Sequence, residues 1–179
     1  MQPDFFFTKG GVWDTFFREA ARRPDPICIA TYNMAVDMRS KLGAILHKLS
    51  LRRPINILLG IPELVPARHA LYSRVESFPN INWRFHTASH MKLAVCGPVG
   101  FTGSINLNQG DWNEVAVGLT PPQCAQAQKV FDNFWKSTAN LTMDQFHELL
   151  FAGQYKVDLK SLLEKTIPHP FNLKGSHRA

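Results

Sequence analysis

The sequence has few cysteines, few charged residues and no long apolar run. The three cysteines, Cys28, Cys96 and Cys124, are odd in number and form no C-x-x-C pair, which argues against a disulfide framework or a cysteine-based zinc site. We interpret them as buried thiols in a reducing compartment. Charged residues make up 19% of the chain and hydrophobic residues 45%, a composition that excludes a disordered tail protein and favours one folded domain with a full core.

Membrane and export signals are also missing. No apolar run approaches the roughly 18 residues that a membrane-spanning helix needs. The first residues run from Met1 to a cluster of three phenylalanines without a basic region or a long apolar region, unlike a secretory leader. We therefore expect a cytoplasmic protein with no membrane partner.

The charge that is present is mainly positive. Lysine and arginine number 20 against 14 aspartate and glutamate residues, a formal net charge of +6, which favours polyanionic partners such as nucleic acid. Residues 51–100 hold six basic and two acidic residues, whereas residues 101–150 hold two basic and five acidic residues. The basic excess thus lies in the half that leads up to residue 90.

Hydrophobic periodicity predicts an α/β fold. Apolar residues recur at helical spacing over 12–23, 38–49 and 66–76, and these segments alternate with strand-like runs over 27–34, 55–59 and 81–85. Strands then follow in close succession over 90–96, 99–105 and 114–119, before a helix that begins near residue 120. This order predicts a mixed β-sheet with helices on both faces.

The domain organisation is predicted to be a catalytic domain over 1–137 and a helical extension over 138–179. Two short helices are expected in the extension, about 143–151 and 159–165, followed by a frayed tail. Its apolar residues need burial, either on the same domain or on a partner in a larger assembly, and these residues are Phe146, Leu149, Leu150, Phe151, Leu162 and Leu163.

Short polar side chains are concentrated between residues 90 and 114. Because residues two apart in a strand share a face, His90 and Lys92 are predicted to point the same way, as are Ser104 and Asn106. Glu114 opens the next predicted strand. If these strands are neighbours, an imidazole, an ammonium, a hydroxyl, an amide and a carboxylate converge on one small volume.

These groups suit phosphoryl transfer without a metal. A neutral histidine can attack phosphorus, lysine and asparagine can hold the non-bridging oxygens, and a carboxylate can fix the imidazole tautomer. A metal mechanism needs several carboxylates or clustered histidines and cysteines, and this stretch offers only Asp111 and Glu114. We expect no metal and no cofactor. Thr31, Tyr32 and Asn33, at the end of a predicted strand, are candidates to line the cleft.

The spacing of these residues resembles a family signature. His90 and Lys92 form H-x-K, Gly103 to Asn106 form G-S-x-N eleven residues after the lysine, and Asn113 precedes Glu114. This pattern resembles the signature of the phospholipase D superfamily. The first β-α-β unit resembles that of the compact, nuclease-like members, so that the resemblance covers roughly residues 10–136 and implies their α/β/α sandwich.

The resemblance also implies roles for the residues. His90 would be the nucleophile that forms a phosphohistidine, Lys92 and Asn106 would bind phosphate, Ser104 would line the pocket and Glu114 would orient the imidazole. The family uses two copies of the motif, and this chain has one. Compact single-motif members form a homodimer with both motifs at the shared axis, so His90 of a second chain is expected to be the general acid.

Three functions follow as hypotheses. The first is a metal-independent phosphodiesterase that cleaves nucleic acid, with DNA favoured over RNA. The second is a module that dimerises and binds nucleic acid or a protein without cutting, because Gly97 stands five residues after Lys92, where the family pattern has an acid. The third is a phospholipid phosphodiesterase, which the single motif and the missing membrane signals argue against.

Overall fold

The fold is taken from a computed structural model of the chain. The structure describes residues 5–8, 11–86, 89–108 and 114–151, with only the backbone described for residues 5–8 and for Glu114.

Seven strands form one mixed sheet. They are β1 (Phe5–Thr8), β2 (Ile27–Thr31), β3 (Ile55–Gly60), β4 (Asn82–His86), β5 (Leu93–Cys96), β6 (Val99–Gly103) and β7 (Glu114–Gly118). Their order across the sheet is β1-β7-β6-β5-β2-β3-β4. Strands β2, β3 and β4 run parallel, and the other neighbouring pairs are antiparallel. One part of the sheet, β2 to β4, is therefore built from parallel β-α-β units. Strands β5, β6 and β7 form an antiparallel meander.

Five helices surround the sheet in the described residues. They are α1 (Gly11–Ala20), α2 (Lys41–Ser50), α3 (Val65–Glu76), α4 (Pro121–Trp135) and α5 (Met143–Phe151). Local chemistry marks their starts: the Ser40 hydroxyl accepts a bond from the Gly43 amide at the start of α2, and Thr120 with Gln123 forms a capping box at the start of α4. None of these helices is both long and apolar enough to cross a membrane.

Alternation along the strands divides the core between the two faces of the sheet. In β2, Ile27 and Ile29 belong to the larger core cluster, which also contains the buried hydrophobic side chains of α1, α2, α3 and α5. Cys28 and Ala30 belong to the smaller cluster with Phe131 of α4. Helices cover both faces, so the predicted α/β class with a mixed sheet is confirmed.

The beginning of the C-terminal extension is part of the main core. Phe146 of α5 is fully buried and stacks on Phe85 of β4, with ring centroids 4.1 Å apart. Leu141 forms an isolated bridge with Phe85 beside it. The predicted helix at 143–151 is present as α5. The helix predicted at 159–165 lies outside the described residues, and the boundary at 137 stays a prediction.

Several strand boundaries differ from the sequence analysis, and one strand was missed. Strands β2 and β6 end at Thr31 and Gly103, short of the predicted residues 34 and 105. The strand predicted over 90–96 begins only at Leu93, because the ladder to β2 starts at the Ala30–Leu93 pair and His90 to Lys92 form no strand. Strand β1 was not predicted, because four residues at a chain end give too little periodicity. It pairs with β7, which is far away in the sequence, and such a contact cannot be predicted from the local sequence pattern.

Candidate phosphodiesterase site

The carboxyl end of β2 is the point where the candidate residues meet. Thr31 ends this strand and Tyr32 and Asn33 follow it, and the antiparallel strand β5 brings the segment before Leu93 alongside them. Strand β6 pairs with β5 on the other side, with Thr102 opposite Leu93, so the residues after Gly103 leave the sheet at this same end. Segments distant in sequence are thus neighbours here.

His90 and Lys92 both contact Tyr32. The imidazole of His90 stacks on the Tyr32 ring with centroids 4.0 Å apart and planes 17° apart. The Lys92 ammonium lies 5.7 Å from the centroid of the same ring, within the range of a cation–π interaction. Lys92 Nζ also donates to the main-chain carbonyl of His90 at 3.0 Å. The structure therefore brings the two predicted residues together, through an aromatic ring rather than through strand alternation.

Asn106 is held by the end of β2. Its side-chain Oδ1 lies 3.3 Å from the Thr31 hydroxyl and accepts a bond from the Asn33 amide at 3.1 Å. Its main-chain carbonyl accepts a bond from the Trp13 indole at 2.9 Å. With Oδ1 engaged, the amide NH2 is the group that could donate to a phosphate oxygen. Thr31 and Asn33, predicted to line the cleft, are the residues that orient Asn106.

Thr31 is a buried hydrogen-bond centre. It is 1% exposed, and its hydroxyl oxygen accepts a bond from the Leu107 amide at 3.0 Å. The hydroxyl lies 2.8 Å from the Asn33 carbonyl, and since a hydroxyl has one proton, this carbonyl and Asn106 Oδ1 compete for it. This network fixes the loop after β6 against the end of β2.

Ser104 faces β7. Its hydroxyl oxygen accepts a bond from the Val115 amide at 3.0 Å, and its own amide donates to the Val115 carbonyl at 2.9 Å. The hydroxyl proton is left to donate elsewhere. Glu114 begins β7 next to this pair, but its side chain lies outside the described residues, so its predicted contact with His90 stays a prediction.

Gly60 has a structural role that the sequence analysis did not identify. It ends β3 beside β2, and a Cβ atom there would lie 2.6 Å from Tyr32 Cδ2, 2.8 Å from the Tyr32 carbonyl and 3.0 Å from the Ser89 carbonyl. Only glycine lets Tyr32 and the residue before His90 approach β3 this closely. No local signal could have identified this role, since it depends on the pairing of three strands.

Gly97 lies at the far end of β5. It occupies the β5–β6 turn with a φ of 56°, the left-handed region that favours glycine. A Cβ atom there would lie 2.4 Å from a carboxylate oxygen of Asp25. The position where the family pattern has an acid is therefore separated from Lys92 by the whole of β5, and a carboxylate from another loop already stands beside it.

Most of the arginines in the basic half make contacts within the chain. Arg53 donates to the carbonyls of Ala20 and Ala21 at the end of α1, and Arg68 donates to those of Pro62 and Glu63. The Arg74 guanidinium donates to the Met34 carbonyl, and that of Arg84 lies 5.2 Å from the centre of the Trp135 ring. These four arginines therefore have structural contacts within the chain.

The pKa values of two kinds of residue near the sheet are shifted by burial. Burial lowers the pKa of His86, which ends β4 opposite Gly60. By contrast, burial raises the pKa of the Cys28, Cys96 and Cys124 thiols, because the charged form of a thiol is the deprotonated one. The three cysteines are therefore poor nucleophiles. In the part of the chain that the structure describes, no three histidine, cysteine or acidic side chains cluster as a metal site.

No family model and no curated protein matches the sequence. Solved structures match its fold. NucT from Helicobacter pylori is 11% identical, with 79% of this chain and 98% of NucT covered at a TM-score of 0.61. Nuc from Salmonella typhimurium, a phospholipase D family member, is 14% identical, with 79% and 98% covered at a TM-score of 0.57.

Phosphatidylserine synthase from Haemophilus influenzae Rd KW20 is also similar, at 14% identity and a TM-score of 0.61. The match covers 91% of this chain but only 44% of the synthase. The chain has the fold of the phospholipase D superfamily, as the H-x-K and G-S-x-N motifs predicted. At these identities the likeness shows the fold alone.

Proposed function

We propose that the protein is a phosphodiesterase that hydrolyses nucleic acid, preferably DNA, through a phosphohistidine intermediate. The observation that carries this proposal is that three consecutive residues at the carboxyl end of β2 hold the candidate groups: Tyr32 contacts His90 and Lys92, and Thr31 and Asn33 bond to Asn106. An imidazole nucleophile, an ammonium and an amide donor are the groups that displacement at a phosphodiester requires when no metal takes part.

The reaction has two displacements at phosphorus. In the first, an imidazole nitrogen of His90 forms a bond to phosphorus, and the bond to one ester oxygen breaks. Lys92 and Asn106 donate to the non-bridging oxygens, whose charge grows as the bond forms. In the second, a water oxygen attacks phosphorus, the nitrogen–phosphorus bond breaks, and a base takes the proton of the water.

The departing oxygen needs a proton, and His90 is already used as the nucleophile. One motif per chain supports a homodimer in which His90 of the partner subunit is the general acid and then the base. Glu114 is proposed to orient the imidazole from β7. The C-terminal extension, residues 138–179, is proposed to join a larger assembly, and the cytoplasm is the proposed location.

Nucleic acid is preferred to phospholipid for two reasons. The net charge of +6 suits a polyanion, and the match spans 98% of the nucleases NucT and Nuc. The synthase match supports a phospholipid substrate as the second candidate, but this chain spans less than half of that enzyme. The non-cutting module is the third candidate, and the position of Gly97 far from Lys92 weakens its main argument.

Cleavage in the presence of EDTA tests the proposal. The purified chain is incubated with labelled single- and double-stranded DNA, with RNA, and with phosphatidylcholine vesicles as the lipid alternative. We expect cleavage of DNA in EDTA and a loss of at least about a thousandfold in His90→Ala, because the nucleophile is gone.

The matched control is His147→Ala, on α5, which should retain activity. Cleavage that persists in His90→Ala would overturn the assigned nucleophile. Turnover of lipid alone would favour the phospholipid phosphodiesterase. DNA binding with no cleavage of any substrate would favour the non-cutting module.

A further inference from the structure

The aromatic ring of Tyr32 is the common contact of the two most important site residues. Its face stacks on the His90 imidazole at 4.0 Å, and the Lys92 ammonium lies within 5.7 Å of its centre. Tyr32 is itself half-buried, so its ring is restrained by the protein rather than free in solvent. We propose that Tyr32 is the positioning residue of this site, which orients the imidazole of His90 and the ammonium of Lys92 through the face of its ring.

The segment that carries His90 needs such a support. Residues 89–92 belong to no strand, since the ladder between β2 and β5 begins at Leu93. A side chain on such a segment would sample several rotamers, and each misplacement of the attacking nitrogen lowers the rate. Stacking on a fixed ring selects one orientation of the imidazole.

Face-to-face stacking leaves the reactive atoms of the imidazole unobstructed. Both ring nitrogens lie at the edge of the imidazole, in its plane, whereas Tyr32 covers only one face. One nitrogen can therefore attack phosphorus while the other bonds to an orienting carboxylate. The same geometry would be lost if the contact were an edge-on hydrogen bond to either nitrogen.

The ring of Tyr32 also lies close to the backbone of β3. Gly60 in β3 has no side chain, and a Cβ atom at this position would lie 2.6 Å from Tyr32 Cδ2 and 3.0 Å from the Ser89 carbonyl. Tyr32 and the residue before His90 are thus both in close contact with β3. The contacts from Gly60 to Tyr32 and from Tyr32 to His90 fix the nucleophile relative to β3.

The variants distinguish the role of the Tyr32 ring from that of its hydroxyl. The two readouts distinguish the position of the His90 imidazole from its effect on activity. Three variants are compared with wild type: Tyr32→Leu removes the ring, Tyr32→Phe removes only the hydroxyl, and Tyr72→Leu on α3 is the matched control. The first readout is the NMR signal of the His90 imidazole in protein labelled with 13C-histidine. The chain has seven histidines, and His90→Gln identifies the signal.

We expect the His90 signal of wild type to show the upfield ring-current shift of a stacked imidazole. The shift should be kept in Tyr32→Phe and Tyr72→Leu and lost in Tyr32→Leu. An unshifted His90 signal in wild type, or a shift that survives Tyr32→Leu, would overturn the proposal.

The second readout is kinetics on the DNA substrate and rests on the proposed function. Tyr32→Leu should lower kcat about 10- to 100-fold with little change in KM, because the bound substrate then meets a misplaced nucleophile. Tyr32→Phe should restore most of kcat. An equal loss in Tyr32→Phe would overturn the role of the ring face and assign it to the hydroxyl.

The two readouts fail separately. If wild type shows no cleavage but the His90 signal responds to Tyr32→Leu as expected, the proposed function fails while the stacked arrangement stands. If cleavage is present and unaffected by Tyr32→Leu, the positioning role fails while the proposed function stands.

Discussion

The two ends of strand β5 differ in what they hold. At its start, Lys92 and His90 meet the ring of Tyr32, and Asn106 is bonded to the end of β2 nearby. At its other end, Gly97 makes a tight turn beside the carboxylate of Asp25. The first end gathers polar groups able to act on a phosphate, and the second is a turn whose geometry depends on glycine.

The difference explains how the motif can lack an acid without losing the site. Position 97 is separated from Lys92 by the four residues of β5, which span roughly 13 Å at the rise of a strand. An acid missing from that turn removes no group from the neighbourhood of Tyr32. We therefore expect changes near the start of β5 to affect activity, and changes near its end to affect stability alone.

The largest difference between the two ends is expected from a pair of glycine substitutions. In Gly60→Ala the new Cβ would lie 2.6 Å from Tyr32 Cδ2 and 2.8 Å from its carbonyl, and in Gly97→Ala it would lie 2.4 Å from Asp25 Oδ2 at a positive φ. Each should destabilise the fold by about 1–3 kcal/mol.

Only Gly60→Ala should also lower the activity per folded molecule, by about 10- to 100-fold, because it displaces Tyr32 and the segment before His90. Urea denaturation measures the stability, and the cleavage assay, corrected for the folded fraction, measures the activity. A loss of activity in Gly97→Ala equal to that in Gly60→Ala would break the distinction between the two ends.

A smaller effect is expected at Thr31. Thr31→Val keeps the shape of the side chain but leaves the Leu107 amide without its buried acceptor and removes a contact to Asn106. We expect a loss of about 1–3 kcal/mol in the free energy of unfolding, together with weaker substrate binding through Asn106. Thr15→Val, on the exposed side of α1, is the control and should change stability by no more than about 0.5 kcal/mol. Equal stability of the two variants would contradict the role of the Thr31 network.

The smallest effect is expected from the ionisation of His86. Burial lowers the pKa of His86, so the unfolded chain takes up this proton more readily than the folded chain. Its contribution to stability is complete above the ordinary histidine pKa and is lost as the pH falls from there to the lowered pKa. Urea denaturation at several pH values across this range measures the slope of the free energy of unfolding against pH. His86→Gln should flatten this slope, and a slope unchanged by His86→Gln would contradict the assignment.

The sheet and its helices were largely predictable from the sequence, because each depends on local periodicity. Alternation of Trp83 and Phe85 with polar residues marked β4, and Thr120 followed by two prolines marked the start of α4. Strand β1 was not predictable, since its four residues are ordered by pairing with β7. The same limit applies to the start of β5, where pairing with β2 begins at Leu93 and not at His90.

The candidate site was predictable in its residues but not in its geometry. The spacing of H-x-K and G-S-x-N singled out His90, Lys92, Ser104 and Asn106, because motif spacing is a property of the sequence. The contact of Tyr32 with His90 and the role of Gly60 arise from the antiparallel pairing of β2 with β5 and the parallel pairing of β2 with β3. Such contacts join residues that are far apart in the chain, and no local pattern encodes them.

The central claim is that His90 attacks phosphorus, and trapping the covalent intermediate tests it most directly. A labelled oligonucleotide is mixed with the protein in EDTA, and the reaction is stopped with detergent at alkaline pH, which preserves a phosphohistidine. The account predicts a protein–DNA adduct that is lost in acid, maps to His90 by mass spectrometry and is absent in His90→Ala. Cleavage without any adduct, or an adduct on another residue, would contradict it.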